Sequence, residues 1–289
     1  MPWITCISRA KNLGGSLKND QSRSKWPQMN ETHRSDAEPP PFAVDNATGA
    51  SPFLIVADHA GRYLPQRLKQ LGLSDTQCRS HIAWDIGIGA VCALMGTALD
   101  AVVIRQNYSR LLIDCNRMPN SEESILGVSE LTRVPGNAGL SESQKADRVR
   151  DIFQPYHDRI TAELDRRRDG GRPTVLIATH SFTPVFKRLA RPWHVGVLYN
   201  RDPRLAQALL GLLRAEAGLV VGDNEPYTVS DATDYTIPVH GERRDLPHVA
   251  IEIRQDLIVD EPGQRQWAAL LVRLLPQAYR RLVGAGMVG

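Results

Sequence analysis

Residues 52–61 are PFLIVADHAG, in which a short apolar run leads directly into an aspartate and a histidine. The run is rich in β-branched residues and is continuous rather than alternating, which is typical of a strand covered on both faces. Similar runs follow at residues 101–104, 175–178, 195–198, 219–221 and 249–251. The sequence therefore predicts a sheet of buried strands.

Segments with the apolar periodicity of amphipathic helices separate these runs. Their apolar faces are formed by Val91, Leu94, Met95 and Ala98; by Val149, Ile152, Phe153, Tyr156, Ile160 and Leu164; by Leu205, Leu209, Leu212 and Leu213; and by Trp267, Leu270, Leu271, Leu274, Ala278 and Leu282. Strands that alternate with helices predict an α/β fold. We expect a single domain with a mostly parallel, mixed sheet flanked by helices on both faces.

Residues 1–50 differ in composition from the rest of the chain. Between Lys11 and Ala50 the sequence is dominated by Ser, Asn, Asp, Lys, Arg and Pro. Such a segment buries too little apolar area to offset its chain entropy. We expect a flexible extension over residues 1–50, anchored only near Phe42 and Val44, and a folded domain over residues 51–289.

The overall composition is typical of a globular protein and argues against several other classes. A hydrophobic fraction of 42% with 23% charged residues is typical of a globular protein, and a net charge of +3 gives no case for nucleic-acid binding. The four cysteines are scattered without a CxxC pair, which favours reduced thiols in the cytoplasm. No apolar run reaches the roughly 18 residues of a membrane span, and we expect no signal peptide at the N-terminus. The sequence has no GxGxxG motif or P-loop.

Two histidines are placed near the ends of predicted strands, where ligands bind in α/β sheets. His59 follows the first strand and His180 follows the strand at residues 175–178. A catalytic zinc ion takes three protein ligands and leaves one position for water. For the third ligand Asp85 is the first candidate, although it is equally well interpreted as a helix cap. Asp58 is another candidate, or it orients His59 as a hydrogen-bond partner.

Glu252 lies in an apolar strand, where a carboxylate needs either a partner or a function. One interpretation is a general base that takes a proton from water. The other is a salt bridge with Arg254, which shares its face of the strand. Arg110 and Arg117 have two interpretations as well: a clamp for an acidic substrate, or members of a packed polar network.

Six motifs occur in an order that resembles the N-formylglutamate amidohydrolase family. They are ADHAG at residues 57–61, WDIG at 84–87, YSRL through DCNR at 108–117, THSFTP at 179–184, NEPY at 224–227 and IEIRQDLI at 251–258. The similarity runs from about residue 52 to residue 260. It implies a fold like that of the zinc carboxypeptidases, the phosphorylase/hydrolase-like fold. It also implies hydrolysis of an N-formylated acidic amino acid, such as N-formyl-L-glutamate, to formate and glutamate.

The resemblance also assigns roles to individual residues. It implies metal ligands at His59 and His180, a general base at Glu252, a substrate-carboxylate clamp at Asn116 and Arg117, and a carbonyl-polarising group at Arg110. The expected cofactor is Zn²⁺ or another divalent metal, which lowers the pKa of its water while Glu252 accepts the proton. Asn224, Tyr227 and Arg254 are expected to line the pocket.

One position departs from the carboxypeptidase pattern. Those enzymes carry His-x-x-Glu, with both residues on zinc, whereas the third residue after His59 is Arg62. The carboxylate ligand therefore comes from elsewhere, which favours Asp85. Two alternatives stay open: a zinc amidase or peptidase acting on another N-acyl amino acid or peptide, and a non-catalytic relative that binds an acidic ligand. The sequence does not fix the oligomeric state.

Overall fold

A computed structural model describes residues 38–284 and residue 286 of the protein. In chain order the strands are β1 (Phe42–Asp45), β2 (Phe53–Ala57), β3 (Val102–Gln106), β4 (Val128–Ser129), β5 (Thr132–Arg133), β6 (Val175–Phe182), β7 (Val185–Phe186), β8 (Leu189–Ala190), β9 (Val195–Leu198), β10 (Val221–Asp223) and β11 (His248–Arg254). The helices are α1 (Asp75–Cys78), α2 (Ile88–Leu99), α3 (Glu142–Arg148), α4 (Gln154–Asp169), α5 (Arg204–Arg214) and α6 (Glu261–Gly284). A π-helical turn, Val149–Phe153, joins α3 to α4, and a second one covers Ile237–Gly241.

The main sheet has seven strands in the order β1-β3-β2-β6-β11-β9-β10. Its pairs are parallel except for β1 with β3 and β11 with β9. Strands β4–β5 and β7–β8 form two separate short hairpins. This arrangement confirms the mixed, mostly parallel sheet that the sequence predicts.

Side chains alternate between two apolar layers, one on each face of the sheet. Phe53 and Ile55 of β2 pack in the layer that contains the buried residues of α2, α5 and α6. Leu54 and Val56 point the other way, into the layer that contains the buried face of α4. Both faces are therefore covered by helices, which is why the strands are apolar throughout rather than alternating.

Several strands differ in length or position from the apolar runs. β6 and β11 pair in parallel from His248 with Leu176 to Arg254 with Phe182, so both extend beyond their apolar segments. β10 begins at Val221 rather than at residue 219, because its partner β9 begins at Val195.

The N-terminal part of the described chain belongs to the sheet. Strand β1 pairs antiparallel with β3, placing Phe42 opposite Gln106 and Val44 opposite Ile104, where anchoring was expected. The rest of the expected extension, up to residue 37, lies outside the described residues. Among the described helices, none combines the length and the hydropathy that crossing a membrane requires.

Candidate active site

His59 enters the site through a turn that only glycine allows. β2 ends at Ala57, and a Cβ atom on Gly61 would lie 2.1 Å from the backbone carbonyl of Asn107. The chain therefore passes close to the segment after β3 and leaves His59 buried at the carboxyl end of β2. The carbonyl of His59 accepts a hydrogen bond from the backbone N–H of Asp85 at 2.9 Å, which brings the segment before α2 to the same place.

His180 lies inside β6 rather than after it, since pairing with β11 continues to Phe182. Its position still faces the site because β6 lies next to β2 in the sheet. In the register, His180 is opposite Glu252 of β11. The centre of the sheet thus brings together residues that are far apart in the sequence.

Three ligand atoms converge at this point. The Nδ1 atoms of His59 and His180 are 3.2 Å apart. The Oδ2 atom of Asp85 is 3.1 Å from the His180 nitrogen and 3.5 Å from the His59 nitrogen. All three residues are buried. The atoms form a nearly equilateral triangle of two nitrogens and one oxygen.

The second nitrogen of each imidazole faces a different carboxylate. Nε2 of His59 is 2.7 Å from Oδ1 of Asp114, and Nε2 of His180 is 3.4 Å from Oδ2 of Asp58. A histidine that donates its Nε2–H to a carboxylate presents a lone pair at Nδ1. Two lone pairs and a carboxylate oxygen would then face one another, as the ligands of a bound cation do.

The triangle fits a divalent metal such as zinc. Ligands bound at about 2.0–2.1 Å to a tetrahedral ion lie about 3.3 Å apart, close to the three separations found here. A pair of imidazole nitrogens and one carboxylate oxygen is a common catalytic zinc set, which leaves a fourth position open. The donor set of this site therefore matches the metal that the sequence suggests.

Asp85 does not cap α2. The helix begins at Ile88, and its N-cap residue, Gly87, makes no side-chain capping bond. Oδ2 of Asp85 instead accepts the backbone N–H of Ser181 at 3.2 Å, and Oδ1 lies 3.5 Å from Nη1 of Arg110. Burial alone would raise the pKa of Asp85, but the charges and hydrogen bonds of His59 and His180 hold it below its usual value. The carboxylate points into the site, where it is available as a ligand.

Glu252 has a buried carboxylate without a committed partner. Its side chain is directed to the same cavity, and within residues 38–284 its Oε2 makes no hydrogen bond. Burial raises the pKa of this carboxyl group to about 7. Arg254 does not pair with it, since its guanidinium binds Asp256 at 2.8 Å. A carboxyl group whose pKa is close to neutral pH, and which lies beside the triangle, is suited to accept and return a proton.

Arg110 and Arg117 both line the cavity and both have acidic neighbours. Nη2 of Arg110 is 2.5 Å from Oδ2 of Asp114. Nη1 of Arg117 is 3.4 Å from Asp234, and its Nε is 3.4 Å from the exposed carboxylate of Glu123. The ion pairs of Arg117 are long, so its guanidinium retains hydrogen-bond donors for a ligand. The short ion pair of Arg110 holds that side chain in place.

The remaining predicted pocket residues differ in position. Asn116 and Tyr227 line a cavity of about 430 Å³ that opens over the triangle. The amide oxygen of Asn116 already accepts the backbone N–H groups of Tyr235 and Thr236, at 3.1 and 3.0 Å. Asn224 and Arg254 are not part of the cavity lining.

Asn224 and Arg254 have other contacts. The side-chain oxygen of Asn224 accepts the N–H of Tyr199 at 2.9 Å. Nη1 of Arg254 donates to three consecutive carbonyl oxygens, those of Arg191, Pro192 and Trp193, at 3.3–3.5 Å. Both residues therefore brace loops around the site.

Sequence reasoning did not find the partners of the two histidines. Asp114 holds His59, while Asp58 lies beside His180 rather than beside its neighbour His59. Asp58 is fixed in turn by the hydroxyl groups of Tyr156 and Thr236, which donate to its Oδ1 at 2.8 and 2.9 Å. A carboxylate next to a histidine in the sequence indicates that it orients a histidine ligand, but which histidine it orients depends on the fold.

Arg62 also has a defined position. Its guanidinium lies 5.2 Å from the ring centroid of Trp84, outside the triangle. The position that carries a zinc-binding glutamate in carboxypeptidases thus contributes to a surface stack, and Asp85 supplies the carboxylate of the triangle.

Comparisons with known proteins point to one family. Residues 51–259 match the family model of N-formylglutamate amidohydrolase. The crystal structure of a gene product from Agrobacterium tumefaciens is 36% identical, with a TM-score of 0.83, covering 86% of this chain and 98% of that one. The crystal structure of N-formylglutamate amidohydrolase from Ralstonia eutropha JMP134 is 18% identical, with a TM-score of 0.62, covering 84% of this chain and 99% of that one; it shows the same fold. No curated protein matches the sequence.

Proposed function

The chain belongs to the N-formylglutamate amidohydrolase family, a family of hydrolases that act on a C–N bond, and we propose that it hydrolyses an N-formylated acidic amino acid such as N-formyl-L-glutamate with the help of a divalent metal. The observation that supports metal dependence best is the triangle formed by His59, Asp85 and His180. The products are formate and the free amino acid.

In this proposal the triangle residues hold the metal ion, with Zn²⁺ as the first candidate. When bound, the ion supplies a Lewis acid that polarises the scissile carbonyl and makes water more acidic. Asp58 and Asp114 fix the ring orientation of the two histidines, so that both Nδ1 atoms stay directed at the ion.

Glu252 carries the proton. Its unpartnered carboxylate takes a proton from the attacking water, and the new C–O bond forms at the formyl carbon. The same carboxyl group then returns the proton to the amide nitrogen as the C–N bond breaks. One water is consumed, and the proton that it loses leaves with the amine, so the reaction is balanced.

Arginines bind and polarise the substrate in this scheme. Arg110 is kept in position by Asp114 and lies at the edge of the triangle, where its guanidinium stabilises negative charge developing on the carbonyl oxygen. Arg117 retains donors and binds the α-carboxylate of the substrate, with Asn116 shaping the same wall. Tyr227 covers the outer side of the cavity.

We place this activity in the cytoplasm. The described cysteines, Cys78, Cys92 and Cys115, are all free thiols, which suits a reducing compartment.

The proposal is tested by formate release from N-formyl-L-glutamate, with N-acetyl-L-glutamate as the comparison and with each assay repeated after chelation. We expect hydrolysis of the formyl compound, its loss with the chelator and its return with zinc. Full activity in metal-free protein would overturn metal dependence, and absence of hydrolysis with every metal tested would overturn the substrate. His180→Ala should lose the metal, whereas His194→Ala, at a histidine that does not line the cavity, should retain it.

A further inference from the structure

Arg191 lies directly after the β7–β8 hairpin, at the outer edge of the cavity. None of the six sequence motifs includes it. Its guanidinium carbon lies 4.5 Å from the ring centroid of Phe186, 4.7 Å from that of Tyr227 and 5.9 Å from that of Phe182. All three rings line the cavity. The cation is therefore built into the aromatic wall of the proposed active site.

The charge of Arg191 has no ion-pair partner within residues 38–284, although Glu130 lies near enough for an electrostatic interaction with it. Among residues 38–284, no carboxylate oxygen lies within 4.0 Å of its guanidinium, unlike the ion-paired Arg110 and Arg117. Glu130, at the turn of the neighbouring β4–β5 hairpin, already uses both oxygens. One accepts the N–H of Lys187 at 2.7 Å and the other is 2.8 Å from Nε2 of His81.

Most hydrogen-bond donors of Arg191 are open as well. Nη1 donates to the hydroxyl oxygen of Tyr227 at 2.8 Å, and its side chain makes no further hydrogen bond within residues 38–284. A guanidinium has five N–H donors in a fork that matches a carboxylate. Most of that fork remains available for a ligand.

The side chain is also held in place before any ligand arrives. The aromatic rings hold the guanidinium by cation–π contacts, and the backbone N–H of Arg191 donates to the carbonyl of Pro184 at 2.8 Å. Arg254 donates hydrogen bonds to the backbone carbonyl groups of residues 191–193 and so fixes the backbone that carries Arg191. Because less side-chain entropy is lost on binding, a fixed cation favours affinity.

We propose that Arg191, positioned by Tyr227 and Arg254, binds the side-chain carboxylate of the substrate and so selects an acidic N-formyl amino acid. This inference rests on the proposed function. The α-carboxylate is attached next to the leaving nitrogen and stays near Glu252 and Arg117. The side-chain carboxylate extends further out, towards the rim where Arg191 lies.

The competing role for Arg191 is structural: a stack that merely holds the hairpin against Phe186 and Tyr227. Such a stack would affect all ligands of the cavity alike. A carboxylate-binding residue would affect only ligands that carry the side-chain carboxylate. The two roles therefore separate when matched ligands with and without that carboxylate are compared.

The first experiment measures binding by calorimetry on the metal-loaded protein, with L-glutamate and L-glutamine as probes. We expect wild type to bind L-glutamate more tightly. Arg191→Met should weaken L-glutamate binding by about 10- to 100-fold and change L-glutamine binding little. Arg188→Met, an exposed arginine in the same hairpin, is the matched control and should change neither. Equal binding of both probes by wild type, or equal weakening of both in Arg191→Met, would overturn the inference.

The second experiment measures steady-state hydrolysis of N-formyl-L-glutamate and N-formyl-L-glutamine. Arg191→Met should raise KM for the first substrate with kcat little changed, and leave the second unaffected. Arg191→Lys keeps the charge without the fork and should fall between the two proteins. If wild type hydrolyses neither substrate, the proposed function fails while the binding result still decides the role of Arg191. If wild type hydrolyses both and the variant loses both equally, only the inference fails.

Discussion

Each site histidine divides its two ring nitrogens between a carboxylate and the triangle. A hydrogen on the nitrogen that faces Asp114 or Asp58 leaves the other ring nitrogen with a lone pair directed at the triangle. Asp58 is further fixed by Tyr156 and Thr236, so its free oxygen is directed at His180. We therefore expect Asp58 and Asp114 to influence how strongly the two histidines bind a metal ion.

We expect Asp58→Asn to weaken metal binding by about 10- to 100-fold, since an amide no longer stabilises the His180 N–H as a carboxylate does. Zinc affinity measured by competition with a chromogenic chelator checks this. Asp169→Asn, at an exposed carboxylate on α4, is the control and should leave the affinity unchanged. An unaltered affinity in Asp58→Asn would show that the contact does not act on the metal.

Glu252 is the residue whose loss should separate catalysis from metal binding. Glu252→Gln keeps the shape of the side chain but cannot accept the water proton, so we expect kcat to fall by about 10²- to 10⁴-fold. Metal content, measured by elemental analysis, should stay the same because Glu252 is outside the triangle. Glu261→Gln, at the exposed start of α6, serves as the control. A fall in kcat of less than tenfold would contradict the assignment.

At the scale of elements, α4 is joined to the start of β2 by a fully buried arginine. Nε of Arg167 donates to Glu163 at 2.8 Å. Its other nitrogens donate to the backbone carbonyls of Ser51, Pro52 and Phe53 at 3.1–3.3 Å. The side chains of Arg167 and Glu163 are 0% and 1% exposed, so neither charge is screened by water. The position of β2, and with it that of His59, depends on this contact.

Replacing this arginine by methionine should be destabilising. Arg167→Met leaves the three backbone carbonyls without their buried donor, while Glu163 keeps its ion pairs with Arg159 and Arg166. We therefore expect the free energy of unfolding to fall by about 1–3 kcal/mol. Urea denaturation measures the change. Arg168→Met alters a neighbouring arginine whose side chain is 66% exposed, and should change stability by less than about 0.5 kcal/mol. Equal effects of the two substitutions would contradict the role of burial.

A buried histidine pair makes the packing of α4 sensitive to pH. Nδ1 of His157 in α4 is 2.9 Å from Nε2 of His240 in the second π-helical turn. Burial lowers the pKa of His157 to about 4 and that of His240 to about 3. Asp58 opposes both shifts, and Arg244 adds to that of His240. In the folded state both rings therefore stay neutral well below pH 6.

The unfolded chain takes up protons on these histidines below about pH 6.5, whereas the folded chain does not until about pH 4. Stability should therefore fall as the pH drops between these values, by about 1.4 kcal/mol per pH unit for each histidine. Chemical denaturation at pH 7, 6 and 5 measures the slope. His240→Gln removes one of the titrating groups and should flatten the slope; the same slope as in wild type would contradict the prediction.

The sequence predicts the elements well where burial alone decides them. The strands at residues 53–56 and 195–198 and all four amphipathic helices occur where the apolar patterns place them. β6 and β11 extend beyond their apolar runs because their parallel pairing continues, so His180 lies within β6 rather than after it, whereas Glu252 lies within its strand as expected. An apolar pattern contains no signal for a polar residue that is retained in a strand for its chemistry.

The site could be predicted only in part, for a related reason. His59 and His180 are near strand ends that the sheet order makes adjacent, so local pattern and a general rule suffice to find them. The contact of Asp114 with His59 and the position of Arg191 against Tyr227 depend on loop paths of many residues. Such contacts are set by tertiary packing, which no spacing in the sequence encodes.

At the scale of the whole molecule, the three triangle residues come from distant parts of the chain. His59 follows β2, Asp85 precedes α2 and His180 lies in β6, so a bound ion would link three segments that separate on unfolding. An ion that binds only the folded state stabilises it according to its concentration relative to Kd. Metal removal should therefore be visible as a loss of stability, independently of any assay of activity.

We expect saturating zinc, at about 100 times Kd, to raise the free energy of unfolding by about 2.7 kcal/mol. For a protein of this size, that gain corresponds to a Tm increase of roughly 4–5 °C. Differential scanning calorimetry with and without chelator measures it. His180→Ala removes one corner of the triangle, so its Tm should respond little to zinc, whereas His194→Ala should respond as wild type does. If the Tm of His180→Ala rose as much as that of wild type, the ion would be bound elsewhere, and the assignment of the triangle would have to be abandoned.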